Sequence, residues 1–276
     1  MIQDIFPKRL DNRWLPDMKP KASDFVLSFD GRKVLVKISS VDCSQSIYTL
    51  PRVSDTNDIP LRYLFRIDDE AFFLGEIIPF PGTEYADMNM LRENYLLPRH
   101  LLYAILTGKH LDTWYGNTRF CGKCGSIMQH SSHERAMVCP SCHNTVYPRI
   151  MPAVIVGVRN KDCLLLTRYR EGYPHNALIA GFTEIGETLE ETVMREVMEE
   201  AGIRVKNITY YKSQPWGIAS DILTGFYCDV DGDDTIKMDS NELKYASWVR
   251  RSDIVLQPDD ASLTNEMMKM FKDGLI

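Results

Sequence analysis

No stretch of about eighteen consecutive apolar residues occurs in this chain, so no membrane-spanning helix is expected. The opening residues, MIQDIFPKRLDNRW, have no apolar segment of the kind that heads a secretory leader, which argues for a cytoplasmic setting. Basic charge is not in excess either. Lys and Arg number 32 against 38 Asp and Glu, a formal net charge of -6, and the two signs are interspersed. That argues against a broad nucleic-acid-binding surface and leaves room for a local phosphate pocket. Low-complexity tracts are missing, and 44% of the 276 residues are hydrophobic, enough for a substantial core shared by two domains and a small insert. Cysteine is sparse, with 7 residues, and in a chain without an export signal these read as metal ligands or free thiols rather than disulfides.

Against that background one stretch stands out, residues 181–203, GFTEIGETLEETVMREVMEEAGI. Thr188 with Glu191 three residues later forms a capping box, and Gly202 stands where a glycine stops a helix. With no Gly or Pro between them, a helix of about four turns is expected. Glu196, Glu199 and Glu200 fall at i, i+3 and i+4, so their carboxylates share one face, and no basic side chain is read as answering them. Carboxylates crowded at that spacing either form a solvated acidic face or share a hard cation such as Mg²⁺ or Mn²⁺.

The frame around these glutamates decides between the two. Gly181, five residues, Glu187, seven residues, then Arg195-Glu196-Val197-Met198-Glu199-Glu200-Ala201-Gly202-Ile203 resembles the complete Nudix box at every fixed position. The resemblance implies a hydrolase that cleaves a nucleoside diphosphate linked to another group, with divalent cations held by the box glutamates.

Residues 1–115 are read as a β-rich N-terminal domain with linking helices. Residues 24–37 suggest two strands about an Asp30-Gly31 turn, and 62–77 a second hairpin. From residue 87, apolar residues at helical spacing, interrupted by Pro98, suggest one or two helices. No catalytic constellation is visible here: Cys43 is alone, and His100 and His110 are read as surface or core residues. The domain either holds a dimer together or shapes a substrate pocket.

Residues 116–147 are more specific. Cys121-x2-Cys124 and Cys139-x2-Cys142, fourteen residues apart, have the spacing of a zinc ribbon. Four thiolates close the coordination shell, so a structural zinc is expected and His130, His133 and His143 are not read as ligands. In residues 148–276, apolar runs at 153–158, 163–167, 178–182, 205–211, 223–230 and 246–249 read as strands and 262–271 as a closing amphipathic helix. Cys163 and Cys228 lie inside these apolar patterns and are read as core. The expected fold class is α+β: an α/β/α sandwich, as in the Nudix fold, with the zinc ribbon and β-rich N-terminal domain ahead of it.

A second marker narrows the resemblance. Ser213-Gln214-Pro215-Trp216 resembles the start of the SQPWPFPxS motif of the NADH pyrophosphatases, and with the ribbon, the Tyr147-Pro148-Arg149 segment and the box the likeness covers about residues 110–250. Two departures are visible. Gly217, Ile218, Ala219, Ser220 and Asp221 replace Pro-Phe-Pro-x-Ser, and Tyr245 replaces a glutamate in the segment reading Glu242 to Trp248. The resemblance implies a catalytic set of Glu199, Glu196, Glu200 and Arg195, with Glu199 preferred as base because no glutamate stands at Tyr245, and Glu242 or Asp239 able to reach in from the loop before it. It implies Mg²⁺ or Mn²⁺ on Glu196, Glu199, Glu200 and the Ala180 carbonyl, and zinc on Cys121, Cys124, Cys139 and Cys142. Tyr147 and Phe182 would stack on a substrate ring, and Gln214 to Asp221 and Tyr245 would line the substrate. The implied reaction is hydrolysis of NAD(H) to NMN(H) and AMP, with removal of NAD caps from the RNA 5′ end as a related activity, by a cytoplasmic homodimer. Alternatives are another ADP-linked substrate (FAD, ADP-ribose, diadenosine polyphosphate) or a non-catalytic nucleotide-sensing module. The loss of the loop aromatic and serine points to relaxed substrate choice, and Tyr245 to a raised demand for free metal.

Overall fold

In the computed structural model, residues 1–42, 45–171 and 174–276 are described, so the lone Cys43 lies outside the described residues. The chain divides into two compact units, one of Ile2–Arg149 with Gly217–Ser220, the other of Ile150–Trp216 and Asp221–Ile276 with Met1.

In the first unit the 62–77 hairpin forms as the alternation predicts, Arg62–Ile67 antiparallel to Glu70–Leu74 across Asp68, which takes the left-handed turn conformation (φ 50°). The 24–37 stretch differs from expectation. Phe29–Asp30 turns through Gly31 (φ 56°) onto Lys33–Asp42, whereas Phe25–Leu27 joins another sheet, parallel to Glu70–Leu74. The change of sheet falls at Ser28, whose buried hydroxyl accepts from the Ile77 amide at 3.1 Å and meets the Tyr85 hydroxyl at 3.1 Å. A buried polar group needs such partners, and that pins where the chain crosses. Two helices follow, Met88–Glu93 capped by the Asp87 carboxylate and Arg99–Asn117 headed by Pro98. Proline suits this position because it carries no N–H to leave unpaired. Three two-residue antiparallel strands then frame the cysteine pairs: Gln129–His130, Met137–Val138 and Thr145–Val146.

The second unit is built on a mixed sheet. In order its strands are Val205–Trp216, Asp221–Val230, Met151–Asn160, Cys163–Tyr169 and Leu243–Arg250, with Ile179–Phe182 also paired to Met151–Asn160. Both faces are covered, which is why the central run of residues 153–158 is continuously apolar. On one face Val154, Val156, Val158 and Leu165 pack against Val193, Val197 and Ala201 of the box helix, Leu189–Ala201. On the other, Ile155, Leu164 and Leu166 pack against Leu263, Met267, Met268 and Phe271 of the closing helix, Leu263–Lys272. Each such side chain contributes roughly 1.5–3 kcal/mol by leaving water. The box helix begins and ends as its sequence dictates. Thr188 Oγ1 accepts from the Glu191 amide at 3.2 Å, Glu191 accepts from the Thr188 amide at 2.8 Å, and Gly202 turns the chain at φ 67°.

Candidate active site

The box helix sets its acidic residues against strand Ile179–Phe182, and the fit depends on Gly181. A Cβ there would lie 1.9 Å from Glu196 Cδ, so only glycine admits the carboxylate. Glu200 is more deeply placed: its side chain is buried and neither oxygen has a hydrogen-bond partner at bonding geometry. Burial, joined by the charges of Glu196 and Glu242, pushes its carboxyl up to about 8, and the nearby Ala180 amide and Tyr169 hydroxyl offset only part of that. Burial also raises Glu196, with Arg195 opposing. Glu199 is the open member of the set, its side chain 59% exposed.

Arg195 corrects the expectation that nothing basic answers these carboxylates. Its Nη1 donates to Glu196 Oε1 at 2.7 Å and to Glu199 Oε2 at 3.0 Å. Its Nε and Nη2 grip Glu187 at 2.6 and 2.9 Å, and Nη2 also reaches the Phe182 carbonyl at 2.8 Å. An arginine directly before Glu196 and four residues before Glu199 folds back along the helix, a reach that counting i+3 and i+4 spacings among acids alone overlooks. The bidentate contact holds the Glu187 carboxyl down to about 2. With Glu196 and Glu199 tied to Arg195 and Glu200 turned inward, the three box glutamates do not converge. Among the described residues, the one set of three or more His, Cys, Asp or Glu whose ligand atoms all lie within 4.8 Å of one another is the four cysteines.

Two residues join the site that the box pattern does not contain. Tyr169 is a phenol that burial and then the Glu200 charge push far above its usual range. The signal was present, since Tyr169 lies four residues beyond Leu165 and strand alternation puts both on the face of the box helix. Glu242 acts on both Glu196 and Glu200, and the irregularity that re-aims it is a bulge: Arg168 pairs with Tyr245 but Tyr169 with Leu243, leaving Lys244 unpaired. Tyr245 itself stands apart from this cluster. It pairs across the sheet with Arg168, whose Cζ lies 5.5 Å from its ring, on the face of the closing helix. Phe182 pairs with Ala153, which puts its half-exposed ring on that face too. Glu200, buried on the inner side of the helix, and Glu196, pressed onto Gly181, both feel the charge of Glu242, and they supply the hard oxygen donors that a divalent cation takes, without forming a closed ligand set among the described residues.

The expected substrate loop is divided in its environment. Gln214 is fully buried, its amide donating to the Ala261 carbonyl at 2.7 Å and accepting from the Leu263 amide at 2.6 Å, so it ties down the start of the closing helix. Pro215 and Trp216 finish strand Val205–Trp216. Gly217, Ile218, Ala219 and Ser220 belong with the first unit, where a Cβ on Gly217 would lie 2.0 Å from the Leu106 carbonyl oxygen. That approach accounts for glycine in place of proline. Asp221 is buried, its Oδ1 has no partner, and burial pushes its carboxyl up to about 6. Tyr147, in the first unit, is half exposed and donates its hydroxyl to Glu134 at 2.9 Å.

In the ribbon, Cys121 Sγ lies 3.6 Å from Cys142 Sγ and Cys124 Sγ 3.4 Å from Cys139 Sγ. These separations far exceed a disulfide bond of about 2.05 Å and approach the ~3.8 Å edge of a tetrahedron with ~2.3 Å zinc–sulfur bonds. The two knuckles match in backbone as well. Gly125 (φ 75°) and His143 (φ 58°) occupy equivalent left-handed positions, each amide donating to the carbonyl of the first cysteine of its pair, at 2.8 and 3.0 Å. His143 is thus a turn residue, and the four thiols fit one zinc.

Comparison with known proteins agrees with this geometry. Residues 149–271 match the NUDIX domain and residues 117–147 the NADH pyrophosphatase zinc ribbon domain. A curated relative from Enterobacter sp., described as an NAD-capped RNA hydrolase NudC, is 39% identical over 186 residues, 66% of this chain and 71% of its own. A protein of the same description from Klebsiella pneumoniae is 40% identical over the same extent. A NUDIX hydrolase structure from Nitrosomonas europaea is 21% identical, covering 56% of this chain and 91% of its own, with a TM-score of 0.49. The complete box on its capped helix, the four-thiol ribbon ahead of it and this identity to curated relatives make the chain a pyrophosphatase that belongs to the Nudix hydrolases, in the branch carrying the NADH pyrophosphatase zinc ribbon.

Proposed function

We propose that the protein hydrolyses the pyrophosphate bond of NAD(H), giving NMN(H) and AMP, and removes the NAD cap from RNA 5′ ends. The observation that carries the reading is the box itself, with Glu200 buried and the Glu196 carboxylate set against Gly181, in a chain that also carries the ribbon. The relatives described as NAD-capped RNA hydrolases support the substrate.

In this reading Glu196, Glu199, Glu200 and the Ala180 carbonyl are the groups that would hold Mg²⁺ or Mn²⁺, their side chains turning from the arrangement above to do so, and Glu242 adds charge beside them. When bound, the cation supplies neutralisation of the pyrophosphate oxygens and acidifies a water. Glu199, the most open of the three carboxylates, takes the proton from the attacking water. Arg195 holds Glu199 and Glu196 in place and, through Glu187 and the Phe182 carbonyl, fixes the helix to the strand that carries Gly181. Phe182 presents a half-exposed ring for the nicotinamide or adenine, and Pro215, Trp216, Asp221 and Tyr245 of the same unit shape the substrate side. The zinc is structural. The enzyme works in the cytoplasm as a homodimer, a state that light scattering behind size exclusion reads directly.

The test is a panel of NADH, NAD⁺, FAD, ADP-ribose and NAD-capped RNA with Mg²⁺ or Mn²⁺. NADH or NAD-capped RNA should be cleaved with the highest kcat/KM. Preference for FAD or ADP-ribose by more than tenfold would overturn the substrate assignment. Glu199→Gln should lower kcat by at least a hundredfold with nucleotide binding kept, and a smaller loss removes Glu199 from the base role.

A further inference from the structure

The first unit holds a cleft that the chemistry above does not use. Its volume is about 710 Å³, and it adjoins a hollow of about 450 Å³, with Arg62, Glu76, Asp112 and His130 lining both. Small-molecule sites fall in the range of roughly 300–1,000 Å³. The lining of the larger cleft includes the apolar side chains Trp14, Phe29, Ile59 and Leu61.

The Arg62 guanidinium lies 4.6 Å from the Tyr115 ring, and among the described residues no ion pair answers it. Of the two acids in the wall, Asp112 is engaged by Lys109 at 2.7 Å and Glu76 is exposed. The His130 ring stands edge-on to Tyr115 at 5.3 Å, and burial and Arg62 together lower its pKa, so it is a neutral hydrogen-bonding group beside the guanidinium. Arg119 adds a second guanidinium in the adjoining hollow. A half-buried guanidinium without a carboxylate is costly until an anion meets it, and its planar fork matches the oxygens of a phosphate. Glu76 and Asp112 elsewhere in the lining offer acceptors for sugar hydroxyls, and the apolar side chains accept a flat base.

We propose that this cleft is a second nucleotide site, binding a nucleoside monophosphate with the phosphate on Arg62, the ribose toward Glu76 and Asp112, and the base between Trp14 and Phe29. The catalytic carboxylates belong to the other unit.

The experiment uses the full chain with AMP as probe, by isothermal titration, and 8-azido-AMP as a photolabel mapped by peptide mass spectrometry. Label is expected on peptides containing residues 14–29 or 59–63. Arg62→Met should weaken AMP binding at this site at least tenfold and abolish that label, while NADH hydrolysis without added AMP stays within twofold of wild type. Adenosine, lacking the phosphate, should bind at least tenfold more weakly than AMP. Label confined to residues 150–276, an unchanged titration of Arg62→Met, or adenosine binding as tightly as AMP would each overturn the assignment. Arg119→Ala, at an exposed position, carries the same comparison if circular dichroism shows the Arg62 variant misfolded. Because NADH turnover is read separately, loss of this site is distinguishable from failure of the catalytic reading.

Discussion

The carboxylate of Glu196 rests on the backbone of Gly181, with no room for a methyl group between them: a Cβ at 181 would lie 1.9 Å from Cδ and 2.0 Å from Oε1. The box glycine is therefore a steric requirement of the acidic cluster. Gly181→Ala is expected to displace Glu196, lower kcat by at least a hundredfold and weaken Mn²⁺ binding measured by electron paramagnetic resonance, with the circular dichroism spectrum retained. Unchanged Mn²⁺ binding would show that Glu196 does not need this approach.

The ribbon prediction concerns stability. Cys139 is fully buried and its Sγ lies 3.4 Å from that of Cys124. Metal analysis should return one zinc per chain, and Cys139→Ser should lose it with a fall in Tm or solubility, because metal binding free energy is folding free energy in such modules. Zinc-free protein with an unchanged melting curve would contradict a structural role.

Asp221 gives a pH signature. Burial raises its carboxyl to about 6 from an ordinary value of 3.8, so the folded state keeps a proton that the unfolded chain releases. The sign follows: below pH 4 the group has no effect, and stability declines as pH rises toward 6. Asp221→Asn removes that decline and should be more stable than wild type above pH 6, by up to roughly 3 kcal/mol, with the two converging near pH 4. Equal pH dependence of the two melting curves would show that Asp221 ionises without penalty.

Much of the site was legible because it is local. The capping box, the stop at Gly202 and the i, i+3, i+4 glutamates all lie within one helix, and the four cysteines within 22 residues. What was not legible is long-range or side-chain-directed. Ser28 splits an apparent hairpin because its partners at Ile77 and Tyr85 come from remote strands. Gln214, read as substrate-lining, is occupied by Ala261 and Leu263 some 47 residues away. The role of Arg195 was obscured because the spacing rule counted acids and not the reach of a long cation folding onto its own helix.

Tyr245 carries the same lesson. The sequence suggested that it takes charge away from beside the metals, but strand register sets it with Arg168 on the face of the closing helix, while Glu242 acts on Glu196 and Glu200. Tyr245→Glu should therefore pair with Arg168 and leave the metal concentration for half-maximal rate within twofold of wild type, whereas Glu242→Gln should raise it at least tenfold. A large fall in metal demand for Tyr245→Glu would place residue 245 beside the metals and contradict this assignment.

The central claim is that water attacks a phosphorus of the NAD(H) pyrophosphate. Hydrolysis of NADH in ¹⁸O-enriched water, with the products weighed by mass spectrometry, tests it most directly. The account predicts NMNH and AMP as the products, with one ¹⁸O in the phosphate of one of them and none elsewhere. Release of free nicotinamide with ADP-ribose, or NADH left intact with Mg²⁺ or Mn²⁺ present, would contradict it.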